Sequence, residues 1–229
     1  FEGCHSLVAC PFMHTPALTN MNNMFNMCYS LVTAPWLITD KVTNMSYAFV
    51  SCLSMVSCPA YSTTNCTNFQ AMFYNCRSLR HLPNLNFGNA TIIKQICTNC
   101  TSMETAGDIN AAKCADFTQV FYGCAALRRI ESIQLDRATT TTNMFRMCPK
   151  LDYLVIKSFP TGTMTLYFDG LVGWGTTDSG KWSMIESSKA LTARTATTTC
   201  TLRLPTSTYD RWKEAVPSLD TMLSTAHIT

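Results

Sequence analysis

Apolar positions in this chain return every 24 residues. Phe1, Phe25, Phe49, Phe73, Phe121 and Phe145 share one slot, which Cys97 takes once. Three residues further stand Cys4, Cys28, Cys52, Cys76, Cys100, Cys124 and Cys148, and three beyond those Leu7, Leu31, Met55, Leu79, Met103, Leu127 and Leu151. The slots six and nine after each cysteine are mostly apolar too, as in Leu82 and Leu85 or Ile130 and Ile133. This stretch is short and carries Pro11, Pro35, Pro59 and Pro83, so it predicts a brief extended segment or strand. A polar bend follows. The phrase Asn-Met-x-x-Met-Phe then spaces its apolar residues by three and four, which predicts one or two turns of helix. One such unit cannot cover its own apolar side, whereas units stacked in register build a continuous core. Fixed self-similarity of this length predicts a repeat solenoid, here over residues 1–159, with paired segments about 4.8 Å apart.

Asn20, Asn44 and Asn68 precede the helical phrase and are expected to bond backbone groups within the bend. Ile92, Asp116 and Thr140 hold the same slot in later units, where that role is expected to fade. Residue 1 already falls inside a Phe-x-x-Cys-x-Ser-Leu phrase, so the chain is expected to be part of a longer array.

The period stops after Phe159. Residues 160–229 are richer in Thr and Gly and hold Trp174, Trp182 and Trp212. Leu166 to Phe168 and Cys200 to Leu204 read as strands, and Gly173 to Thr176 as a turn. Met184 to Leu191 and Thr208 to Val216 read as short helices, the second ended by Pro217. A solenoid needs a cap over its last apolar face, and this α+β segment is expected to supply it.

Composition narrows the function classes. Apolar residues make up 47% and charged residues 14%, which supplies a core and excludes a disordered chain. Seventeen basic against 14 acidic residues, without a basic run, leave no nucleic-acid footprint. No apolar stretch approaches the ~20 residues of a membrane span. Phosphate loops, His-Glu-x-x-His helices and Gly-x-Ser-x-Gly elbows are missing, so no catalytic residue and no cofactor-binding residue is expected. Cys97-x-x-Cys100 has zinc-ligand spacing but no second pair, so no metal is expected either. Sequons at Asn44, Asn65, Asn89 and Asn99 arise readily from Asn-rich repeats.

The phrases Asn-Met-x-x-Met-Phe-x-x-Cys-x-Ser-Leu and Thr-Ala-Pro-x-Leu resemble the BspA-type leucine-rich repeat of microbial surface proteins, found in Bacteroidales and their phages. The resemblance covers residues 1 to about 158. It implies seven leucine-rich units with the cysteines Cys4, Cys28, Cys52, Cys76, Cys100, Cys124 and Cys148 as a buried structural ladder of free thiols. The order of the closing segment resembles that of tail-associated phage proteins. Together they imply non-catalytic recognition or adhesion on an exterior surface, as a phage tail or tail-fibre protein in the virion. Its partners would be a host cell-surface protein or glycan and other virion proteins, with no nucleic acid and no membrane insertion. Phage fibres are often homotrimers, but no residue here encodes an oligomeric state. A bacterial cell-surface adhesin and a structural spacer of a virion are the alternatives.

The candidate partner surface follows from the slots that vary most. Five after the cysteine the chain holds His81, Arg129 and Tyr153, and eight after it Phe12, Trp36, Asn84 and Asp108. Variable side chains carried in rows on a rigid backbone are what a recognition surface requires. Phe12 and Trp36 are neighbours in their row and lead the candidates.

Overall fold

The computed structural model describes residues 1–151, 153–158, 164–167, 200–205, 210 and 224–228. For Tyr153, Val155 and the strands after residue 163 only the backbone is described.

Extended segments 24 residues apart pair in parallel. In the first units this is limited to single bridges, Met13 to Leu37, Thr33 to Ser57 and His81 to Thr105. Regular strands begin only at β1 (Thr105–Ile109), followed by β2 (Arg129–Gln134) and β3 (Tyr153–Ser158), in the order β1-β2-β3. The slot seven after the cysteine accounts for the difference. It holds Pro11, Pro35, Pro59 and Pro83 in the first four units, then Gly107, Glu131 and Val155. Proline brings no N–H to a ladder, so strand pairing extends only where the slot is free of it. The pairing starts in register, Thr105 with Arg129 and Asp108 with Ser132, and shifts at an irregularity that sets Ile133 against Ile156. The brief extended segment or strand expected in each unit is thus a regular strand in three of them and a singly bridged segment in the four before.

The Asn-Met-x-x-Met-Phe phrases are turns, not the short helix that their apolar spacing predicts. Two residues per unit are left-handed. Asn23 and Met27 have φ of 57° and 60°, and the same two slots are left-handed at Tyr47 and Ser51, Ala71 and Asn75, Gln95 and Asn99, and Asn143 and Met147. A residue in that region cannot continue a right-handed helix. Backbone donors then alternate between two kinds of partner. Met24 and Cys28 N–H close turns onto the carbonyls of Met21 and Phe25. Met21, Asn23, Phe25 and Met27 N–H instead reach Asn44, Ser46, Ala48 and Val50 in the next unit, at 2.8–3.2 Å. Every turn is thus stitched to its neighbour.

The slot before these turns keeps its role longer than the sequence suggests. Asn20, Asn44 and Asn68 each accept the N–H two residues on at 2.9–3.0 Å, and Asp116 and Thr140 do the same at 2.9 and 3.3 Å. Ile92 alone among these six lacks an acceptor side chain.

Two columns form the centre of the core. Phe1, Phe25, Phe49 and Phe73 stack face to face with centroids 5.2–5.7 Å apart, and Phe121 stacks on Phe145 at 6.1 Å. Cys97 interrupts this column. Phe1 is half exposed, and burial of each of the other rings stabilises by about 2–3 kcal/mol. Beside it runs the cysteine column, with Cys28 through Cys148 buried and Cys4 exposed. Leu31, Met55, Leu79, Met103 and Leu127 close the core on the far side, all fully buried.

In the C-terminal region β4 (Met164–Tyr167), β5 (Cys200–Pro205) and β6 (Ser224–Ile228) form a second parallel sheet, in that order. Two of these match the strands expected near 166–168 and 200–204. The turn at 173–176, Trp174, Trp182 and Trp212, and the helices expected over 184–191 and 208–216 lie outside the described residues.

A candidate recognition surface

The extended segments present one row of side chains outward at the slot eight after each cysteine. Phe12 and Trp36 are 62% and 65% exposed, the two most solvent-facing large apolar residues among those described. Among the described residues their rings make no contact with each other or with another ring. Ala60, Asn84 and Asp108 continue the row and are exposed. The row then turns inward, for Ser132 and Ile156 are buried. The irregular register along β2 gives the reason, since Ser132 and Ile133 are both buried in succession.

The slot nine after the cysteine is apolar and forms a floor of Tyr61 and Leu85, with the Tyr61 hydroxyl donating to the Pro35 carbonyl at 2.7 Å. The slot ten after it faces out again, at Asn86 and Asn110, because alternate residues of an extended chain share a face. Between the two outward rows lies a groove of about 450 Å³, lined among others by Asn84, Asn86, Asp108, Asn110, Ser132 and Gln134.

Asp108 and Lys157 are the charged groups that line the groove. The Asp108 carboxylate accepts the Ser132 hydroxyl and the Lys157 ammonium, the latter at 3.0 Å. The Ser132 hydrogen bond first, and Lys157 second, hold the carboxyl below its ordinary range, so it is ionised at neutral pH.

The remaining candidates are placed differently. His81 is exposed and its Nδ1 lies 2.8 Å from the Thr105 hydroxyl, within the adjacent row. Arg129 is engaged with Glu131 at 2.6 Å, and that pair is half exposed. Tyr153 begins β3, and its side chain is not described. The structure therefore brings Asn84 and Asp108 together, sets Trp36 and Phe12 further along their row, and leaves His81 and Arg129 beside it. Asn86, Asn110 and Gln134 escaped sequence reasoning, although their spacing of two from the variable slot was the available signal. A second row was missed as well, the exposed Val8, Val32 and Val56, four after the cysteine.

Burial keeps most of the core cysteines protonated. All twelve described are free. Burial pushes the thiols of Cys52 and Cys148 up to about 12 and that of Cys66 up to about 11, and it raises Cys76, Cys97 and Cys124 well above the ordinary range. A thiol held protonated is a poor nucleophile and a poor metal ligand. No cluster of three metal-ligating side chains occurs among the described residues, and no helix there is long and apolar enough to cross a membrane.

No curated protein and no solved structure matches the chain. Residues 9–112, which span the row from Phe12 to Asp108, are similar to a family described as Mycoplasma protein of unknown function, DUF285.

Proposed function

We propose that this chain is a leucine-rich-repeat solenoid of seven 24-residue units with a C-terminal cap, acting as a non-catalytic recognition module on an exterior surface. In the leading reading it is carried on a phage tail or tail fibre and binds the bacterial host. The observation that carries the reading is the outward row itself. Trp36 and Phe12 stand exposed on a backbone cross-bonded at every turn, and the same row leads into a polar groove. Rigid presentation lowers the ordering cost of binding, and exposed aromatics are the usual anchors of an interface. Twelve free thiols, most of them sealed in the core, suit a protein assembled in a reducing cytoplasm, as virion proteins are.

A bacterial cell-surface adhesin is the second reading. It draws support from the similarity of residues 9–112 to a family described from Mycoplasma, a cellular organism.

Binding of the 229-residue chain to a panel of intact Bacteroidales cells tests the recognition role, with Trp36→Ala and Phe12→Ala variants alongside. Saturable binding that falls about tenfold or more in the variants is expected, and their melting temperatures should stay unchanged because both side chains are exposed. Binding equal in variants and wild type keeps the role and removes these two residues from the site. Absence of binding across the panel overturns the role itself.

A further inference from the structure

The groove beside Asp108 is the feature whose chemistry narrows the ligand. We propose that it binds a neutral, polyhydroxylated polymer, a surface glycan; this rests on the recognition reading above.

The lining sets the charge. Amides, hydroxyls and one carboxylate paired with Lys157 leave the groove without net charge. A polyanion would need several unpaired cations. An apolar peptide anchor would need an open hydrophobic pocket, whereas the floor residues Tyr61 and Leu85 are buried. A sugar hydroxyl both donates and accepts, so it requires donors and acceptors side by side.

The groove supplies both in fixed positions. Asn86 Oδ1 accepts the Gly88 N–H at 2.8 Å, and Asn110 Oδ1 accepts the Phe87 N–H at 2.9 Å. Those bonds settle which end of each amide is oxygen and leave its nitrogen facing the groove. Among the described residues Asn86 Nδ2 has no partner, and Asn110 Nδ2 only a long 3.5 Å approach to Asn86 Oδ1. Asp108 Oδ1 takes both Ser132 and Lys157, so Oδ2 is the open acceptor. The amides of Asn84 and Gln134 make no hydrogen bond among the described residues.

Elsewhere the same repeat closes its hydroxyls. Thr43, Thr67 and Thr91 each donate to the carbonyl of the residue 24 earlier, at 3.2–3.4 Å. The groove's open amides contrast with these closed threonines, although Asn26 Oδ1, outside the groove, is unpartnered too. The groups recur from unit to unit, about 4.8 Å apart, which suits a polymer of similar rings. Trp36 lies in the same row, about two units beyond Asn84, where its electron-rich face can take the C–H face of a further ring.

The test is cell binding by the 229-residue chain and an Asn84→Ala/Gln134→Ala variant, on cells untreated, oxidised with periodate, or shaved with protease. Neither side chain bonds to a described residue, so the variant should fold with an unchanged melting temperature. Expected are binding that periodate abolishes, that protease spares, and that the variant weakens about tenfold. Binding that survives periodate and is lost to protease overturns the glycan and makes the ligand a protein. Full binding by the variant overturns the groove as the site. If wild type binds no untreated cell, the recognition reading falls with it, and that result is distinct from both others.

Discussion

The Cys76 thiol donates to the Phe49 carbonyl at 3.0 Å, across a separation of 27 residues. The contact recurs at every step of the ladder, from Cys28 on Phe1 to Cys148 on Phe121, at 2.9–3.2 Å. The Phe49 carbonyl also accepts the Cys52 N–H at 3.2 Å, so the thiol adds a second bond that ties one turn to the next unit. The cysteine slot therefore asks for a small donor and not merely for a small apolar group.

Substitution at Cys76 separates these two requirements. Cys76→Ala removes the sulfur and its bond and should cost about 1–2 kcal/mol in urea unfolding. Cys76→Ser keeps a donor facing the same carbonyl and should cost less. If serine proves worse than alanine, the slot is a matter of packing alone.

The thiols also set an alkaline limit. Burial raises Cys52 and Cys148 from 9.0 to about 12, so between those values the unfolded chain sheds protons that the folded chain retains. Their contribution is full below pH 9 and is lost as the pH rises toward 12, by about 1.4 kcal/mol per pH unit for each such thiol. Several thiols titrate together, so stability should be flat near neutrality and collapse above pH about 10. Equilibrium unfolding against pH checks this, and a variant with Cys52 and Cys148 replaced by serine should fall less steeply.

Met147 is 59% exposed with φ of 61°, in a slot where Gly3 and Gly123 occur in other units. A side chain there carries a left-handed penalty that glycine avoids. Met147→Gly should raise stability by about 0.5–1 kcal/mol, read as a higher melting temperature.

Ile92 stands where Asn44 and Asn68 each accept a turn N–H. Ile92→Asn offers the Lys94 N–H the missing acceptor and should stabilise by about 0.5–1 kcal/mol. A loss of stability would mean that the partly buried isoleucine matters more as packing.

What could be read in the sequence was what repeats as chemistry. The phenylalanine and cysteine slots gave the core and the 24-residue offset of pairing, because burial selects residue type. The prolines marked the segments that pair by single bridges. The left-handed residues were hidden, since Asn23, Tyr47, Ala71 and Gln95 share a backbone angle but no side-chain property. Apolar spacing of three and four therefore suggested helix where hydrogen bonds to the next unit favour turns. Of the groove, Asn84 and Asp108 stood out by variability. Asn86, Asn110 and Gln134 look like ordinary polar residues until the buried slot between the rows turns them to the same face.

The unit that holds Ile92 and Cys97 has a mechanical consequence. Where each layer is held only by its neighbours, resistance to pulling is that of the weakest joint. Here one ring of the phenylalanine stack is missing, and the Gln95 amide and the Thr98 hydroxyl instead reach Gln119 in the following unit, at 2.8 and 2.6 Å. A load drawn along the stack is therefore carried at this layer by polar bonds in place of ring contact.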